Sequence, residues 1–330
     1  MTELQIGLLV IGALVVAGVL AYNRVQERGA QRDAERAFRS GHADALLDEQ
    51  PQRRERQVDA ARAPERSAAP AQAAPDERID YVIELALARP LAAAAVREQW
   101  STLERRHARR ALLSGSPDGT RWRAGLQLVS RDGAVGEAEL IEFRSTVETL
   151  AAAVGATVAA PEMKAAIEAA RELDAFCADT DVQVVVHVMA PPGGSLPGTK
   201  IRAAAEAGGL ALEPDGRFAL RSDDGALVYT LAARDGIAFS AATMREAAPG
   251  GLTLSLDVPR APETRRAFES MMRLAQQLAS LLGGSIVDDN GNVLDERATA
   301  AIAAQLQGVR GRLEGRGLPP GSAAALRLFS

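Results

Sequence analysis

The hydrophobic pattern changes character three times along this chain. From Leu4 to Tyr22 there is no charged side chain, and such a run is long enough to cross a bilayer core of about 20 apolar residues. From Asn23 to Arg78 the apolar positions lose any period. Arg, Glu, Asp, Gln, Ala and Pro dominate there, and Phe38 is the one aromatic. From Ile79 onward, stretches of period two alternate with stretches of period 3.6, which mark strands and amphipathic helices.

Within that last region the elements come in a definite order. Tyr81–Leu87 reads as a strand closed by Pro90, Leu91–Leu103 as a helix, and Arg110–Leu113 and Arg123–Val129 as strands joined through Ser116-Pro117-Asp118-Gly119. Glu137–Val154 and Pro161–Ala178 read as helices. A second run follows: strand Val182–Met189, helix Ile201–Ala207, strands Phe218–Arg221 and Leu227–Ala233, strand Gly251–Pro259, helix Glu263–Leu282, strand Ser285–Asp288 and helix Asp295–Leu313. The residues Gly315–Ser330 read as a frayed, flexible tail. The two runs can be laid on each other, with IDYVIELALARP against DVQVVVHVMAPP and Gly125–Val129 against Gly251–Ser255. The helix ends Val154-Gly155 and Leu282-Gly283 also match. The expected fold class is α+β: antiparallel sheets with helices packed on one face, in two diverged copies.

Boundaries follow from these changes of pattern. A transmembrane anchor spans 1–23, a disordered linker 24–78, one α+β copy 79–178, a second 181–314, and a flexible tail 315–330. Treated as a coil, about 50 linker residues give an end-to-end distance of ~40 Å. Only Met1-Thr2-Glu3 precede the apolar run, whereas Arg24, Arg28, Arg32, Arg36 and Arg39 follow it. Basic residues stay on the cytoplasmic side of a span, so the N-terminus is expected in the periplasm and the bulk of the chain in the cytoplasm. A cleaved signal peptide is the rival reading, and it wants a basic start and a small-residue cleavage site. Glu3 opposes the first and the arginine-rich continuation the second.

Composition narrows the chemistry. The 330 residues carry a net charge of −5, which offers no basic excess for nucleic acid. Cys177 is the single cysteine, and His42, His107 and His187 are far apart. No intrachain disulfide can form and no metal-ligand spacing is present. Asp288-Asp289-Asn290-Gly291-Asn292 lacks the alternating ligands of a calcium loop and reads as a turn. Trp100, Trp122, Met271 and Met272 read as core, and His187 as a solvated outer-face residue. No cofactor, metal or small-molecule substrate is expected.

Helices on one face leave the other face of an antiparallel sheet open. In Val182–Met189 the uniformly apolar set Val182, Val184, Val186 and Val188 belongs to the core. Gln183, Val185, His187 and Met189 then point outward with Thr253, Ser255 and Asp257 of the next strand. Such a face is either plainly solvated or a shallow groove for a peptide with apolar anchors.

The second copy resembles the C-terminal domain of the ZipA family of bacterial cell-division proteins. The resemblance rests on VQVVVHVMA, on Tyr229-Thr230-Leu231-Ala232, on GLTLSLDVP and above all on FESMMRLAQQLASLLGGSIVDDNGNVLDE at Phe268–Glu296. It implies a non-enzymatic adaptor that binds the C-terminal tail of the tubulin-like FtsZ on an exposed sheet face. Such an adaptor holds filaments at the inner membrane, here through Leu4–Tyr22. Carried over by strand position, the partner-binding set is Gln183, Val185, Gly216, Phe218, Ala232, Arg234 and Ser255. The family's groove is largely apolar, so the polar Gln183, Arg234 and Ser255 imply weaker or altered binding. The first copy's face (Val82, Ala86, Gln127, Val129) offers a second location. A tethered scaffold for other envelope proteins is the alternative, and an enzyme with a dispersed site a more distant one.

Overall fold

The computed structural model describes residues 74–107 and 110–330. The apolar run Leu4–Tyr22 and most of the linker lie outside the described residues. Among those described, no helix is long and apolar enough to cross a membrane.

Two antiparallel sheets organise the described chain. The first has strands β1 (Asp80–Leu87), β2 (Ala111–Gly115), β3 (Arg121–Gln127) and β6 (Ala156–Ala159) in the order β2-β3-β1-β6. Helix α1 (Ala93–Leu103) lies between β1 and β2, α2 (Glu137–Val154) between β3 and β6, and α3 (Met163–Thr180) follows β6. A two-stranded ribbon, β4 (Val129–Ser130) and β5 (Gly133–Ala134), follows β3 and packs against α3.

The second sheet has strands β7 (Gln183–Met189), β8 (Ala211–Leu212), β9 (Phe218–Arg221), β10 (Leu227–Ala233), β11 (Gly251–Asp257) and β12 (Ser285–Val287). Their order is β12-β7-β11-β10-β9-β8. Helix α4 (Gly198–Ala207) precedes β8, α5 (Thr264–Leu282) precedes β12, and α6 (Glu296–Gly315) follows it.

The first sheet's order recurs as the order β10-β11-β7-β12 of the second. The strand registers agree residue by residue. Leu85 lies between Trp122 and Val158 as Val188 lies between Leu252 and Ile286. Leu113 faces Ala124 as Leu231 faces Leu254. Helices α2 and α5 both end on a glycine in the left-handed region, Gly155 and Gly283. This register corrects the alignment expected from sequence. Matching Pro90 with Pro192 pairs Tyr81 with Gln183, but Tyr81 is buried and Gln183 is exposed. The true offset in the first strand is one residue longer, which is the step that exchanges the two faces of a strand.

Burial follows the alternation. Tyr81, Ile83 and Leu85 in β1 and Val184, Val186 and Val188 in β7 all belong to one continuous hydrophobic core. Trp100, Trp122, Met271 and Met272 are buried in it, as their apolar surroundings dictate. Helix α5 supplies the widest apolar stripe, with Phe268, Met271, Leu274, Ala275 and Leu278 all buried.

The C-terminal residues depart from the expected flexible tail. Ala323–Leu328 form a short helix α7 capped by Ser322, and Leu318, Ala325, Leu328 and Phe329 are buried. Arg327 donates through both terminal nitrogens to Asp80 at 3.0 and 2.5 Å, and the Asp80 side chain is 0% exposed. Gln127 donates to the Arg327 carbonyl at 2.9 Å. Arg316 stacks over Phe176 at 4.8 Å from the ring centroid, a cation–π contact between the last segment and α3. These residues are small or sparsely apolar in sequence, and only the tertiary contacts order them.

Candidate functional site

The outer face of the second sheet is built in cross-strand rows. Residues directly opposite in register share a face. One row runs Val185, Ser255, Thr230, Ala219. The next runs Val287, His187, Thr253, Ala232. Gln183 and Asp257 flank the face at one end, and Met189, Gly251 and Arg234 flank it at the other. Val185, Ser255, Thr230, Thr253 and Ala232 are part-exposed, whereas Ala219, His187 and Val287 are buried, so these rows present no large exposed apolar group.

Of the seven partner-binding positions expected from sequence, Gln183, Val185, Ala232, Arg234 and Ser255 come together on this face. Two do not. Phe218 sits opposite Leu231 on the core side, is fully buried, and packs against Phe239 at 5.7 Å between ring centroids. Gly216 is a buried turn residue with φ +82°, and a Cβ there would lie 2.5 Å from Ala238. The residue of this strand that faces outward is Ala219. The bulge between Leu227 and Tyr229 in β10 makes the parity of β9 unreadable from sequence.

His187 lies on the outer face as expected, but it is buried rather than solvated. Its Nδ1 is 3.0 Å from the Thr253 hydroxyl and its Nε2 is 2.8 Å from an Asp289 carboxylate oxygen. The histidine therefore anchors the Asp288–Asn292 turn to the edge of the face. That turn is internally bonded: Asp288 accepts from the backbone N–H groups of Asn290 and Asn292 and from the Asn292 side chain. The hydrogen bonds from Asn292 hold the Asp288 carboxyl below its ordinary value.

One member of the face was not visible in sequence. Arg131, at the tip of the β4–β5 ribbon, reaches over from the first module. It donates to Asp181 at 2.9 and 2.6 Å and to Asp257 at 2.9 Å. Burial pushes the Asp257 carboxyl above its ordinary value, while the Arg131 guanidinium opposes the shift. The second oxygen of Asp257, Oδ1, is buried and accepts no hydrogen bond. No local pattern links a turn at residue 131 to a strand end at residue 257.

The corresponding face of the first sheet is not open in the same way. Val82, Gln127 and Val129 are buried, and only Ala86 of that expected set is exposed. Pro75 lies on Gly125, where a Cβ would stand 2.6 Å from the Pro75 Cβ. Arg327 holds Asp80 beside it. The chain's own segments thus cover the position that matches Val185 and Ser255.

Residues 182–305 match the family model of the ZipA C-terminal FtsZ-binding domain. The second module is similar to that domain. The match begins at β7 and ends within α6, so the ZipA-type module holds the open face and its rows, while Arg131 reaches it from outside the matched residues. No curated protein matches the chain.

Proposed function

We propose that this chain is a membrane-anchored cell-division adaptor. It binds the FtsZ C-terminal tail on the outer face of the second sheet and tethers filaments to the inner membrane through Leu4–Tyr22, with its N-terminus in the periplasm. It works by binding and carries out no reaction. The family match over residues 182–305 is the observation that carries the reading. The choice of face is supported by the part-exposed row Val185, Ser255, Thr230 and by the covered state of the matching row in the first sheet. We further propose that the two modules descend from one duplicated unit, on the ground of their common strand order and register.

The face offers few large apolar anchors, so little surface is buried at ~25 cal/mol per Å², and micromolar or weaker affinity is expected. The test is fluorescence anisotropy of a labelled FtsZ tail peptide titrated with the chain and with Val185→Glu. Val185 is half-buried at one end of the row Val185, Ser255, Thr230, and a carboxylate there has to be desolvated under the peptide. The expected loss is at least tenfold in Kd, about 1.4 kcal/mol. Unchanged binding by Val185→Glu would remove the tail from this face.

A further inference from the structure

We propose that the second module carries a further docking site, a groove between the open edge of β7 and helix α6, which takes an extended peptide strand with a carboxylate at its C-terminal end. This site is separate from the tail-binding reading, which concerns the face of the sheet rather than its edge.

Strand β7 runs from Gln183 to Met189, but β12 pairs only with His187, Val188 and Met189. The beginning of β7 therefore has a neighbouring strand on one side alone. Val182 accepts from the Val258 N–H and Ala190 donates to the Gly250 carbonyl, so the even-numbered residues of this strand turn their backbone groups to β11. Gln183 and Val185 turn theirs to the other edge, where they have no partner among the described residues. Unpaired groups of this kind are a template for an added strand. Beyond Val287 the chain turns away through Asp288–Asn292 and comes back as α6. A groove of about 650 Å³ lies where a longer β12 would run, walled by Ile302, Leu306 and Val309 of that helix. Gly308 lines it too, and a Cβ there would meet nothing within 4 Å. A glycine inside a helix weakens the helix, and at this position it leaves room for another backbone to approach.

The first module shows what such an edge accepts. Its strand β1 is likewise paired by β6 only at Glu84–Leu87, and Asp80 holds the position that matches Gln183. The Asp80 N–H donates to the Asp76 carbonyl at 2.8 Å, so a backbone carbonyl pairs there, where the Gln183 N–H has none. Direction follows from the neighbours. Both β11 and β12 run antiparallel to β7, and a strand that continues the line of β12 passes Val185 first and Gln183 after it. Its C-terminal end arrives at Arg312, which lines the groove. Arg312 is exposed and in no ion pair among the described residues, and it donates to the Asp179 carbonyl at 3.1 Å. Asp181, just before β7, is already taken by Arg131. Asp288 and Asp289 line the opposite end of the groove, away from the incoming carboxylate. Alternate side chains of the added strand stand beside Val185 or turn toward Leu306 and Val309.

The experiment is NMR of the isotope-labelled full chain in detergent, read at the Gln183 and Val185 amides. The probes are two end-blocked peptides of strand-forming residues, Thr-Val-Thr-Val-Glu and the same sequence ending in Gln. Both amides are expected to shift saturably with the first peptide, and the second should bind about two- to fivefold more weakly, as the loss of one exposed ion pair allows. Arg312→Gln is expected to erase the difference between the two peptides. Gly308→Leu fills the groove and is expected to abolish binding of both while raising the thermal midpoint, because a helix former replaces a mid-helix glycine. Gln307→Leu, at an exposed position that does not line the groove, is expected to leave binding unchanged. Circular dichroism confirms that each variant is folded. If neither amide moves up to about 10 mM peptide, or if both move equally in Gly308→Leu, the groove is not a peptide site. If they move with protein concentration before any peptide is added, a second copy of the chain fills the groove and the peptide reading falls. If the peptide ending in Gln binds as tightly as the one ending in Glu, the carboxylate is wrongly assigned to Arg312.

Discussion

Replacing Arg327 by methionine should destabilise the first module, although Arg327 lies three residues from the chain's last residue. The reasoning starts from Asp80, whose side chain is 0% exposed. It accepts two hydrogen bonds from Arg327 and one, at 2.7 Å, from the backbone N–H of Asp76. Methionine keeps the length of the aliphatic stem but leaves a buried carboxylate with a single donor. Removing one partner of a buried ion pair costs about 3–5 kcal/mol. The surviving Asp76 bond offsets about 1 kcal/mol of that, so the net loss is roughly 2–4 kcal/mol. For a unit of this size each kcal/mol moves the midpoint by about 2–4 °C, so a drop of roughly 5–15 °C is expected in a thermal scan followed by circular dichroism. Asp80→Asn on top of Arg327→Met should recover part of the loss, because the orphaned charge is gone. A single variant within about 0.5 kcal/mol of the parent would refute the idea that this pair fastens the C-terminal segment.

Other outcomes follow from the same coordinates. Cys177 is buried, and desolvation together with nearby Asp174 and Asp181 pushes its thiol up to about 12. Its reaction with a thiol reagent at pH 8 should therefore be slow in the native chain and become fast in urea, and rapid native labelling would contradict the packing of α3. The Asp118 carboxyl is held down at about 2 by hydrogen bonds, first from Ser116 and then from Thr120. Its NMR titration should have a midpoint near that value, and Ser116→Ala should move the midpoint up toward the ordinary carboxylate range. A depressed carboxyl favours the folded state above its unfolded value of about 3.9, and this contribution fades as pH falls toward 2. Ser116→Ala should accordingly narrow any stability difference between pH 5 and pH 2.5.

Much of the second module was legible because its residues obey one period at a time. In Gly251–Asp257 the leucines alternate strictly with Thr253, Ser255 and Asp257, and the structure buries one set and leaves the other half-exposed. In α5 the stripe from Phe268 to Leu278 fixes both the helix and its buried face. Phe218 was misread for a physical reason. Its strand is four residues long, too short to show a parity of its own, and the bulge in β10 breaks the parity borrowed from its partner. The slip between the modules arose because prolines end strands without fixing which face a residue occupies. Arg131 and the C-terminal segment were missed because their roles depend on contacts spanning 126 and 247 residues of sequence, over which no local pattern extends.

The Arg327–Asp80 pair also bears on how the chain is made. Its two residues stand 247 positions apart, and they join the first strand of the first sheet to the final helix. A ribosome adding about 5–20 residues per second needs roughly 10–40 s to go from the end of that sheet's central strands to Arg327. Through that interval the outer surface of the nascent first sheet has Pro75 in place but lacks its last helix, and Asp80 has no counter-ion. The second sheet has its own strands and helices complete by α6 and can close sooner. The N-terminal half of this folded unit is therefore the last to be finished. A stop codon just before α7 would be felt first in residues synthesised near the beginning.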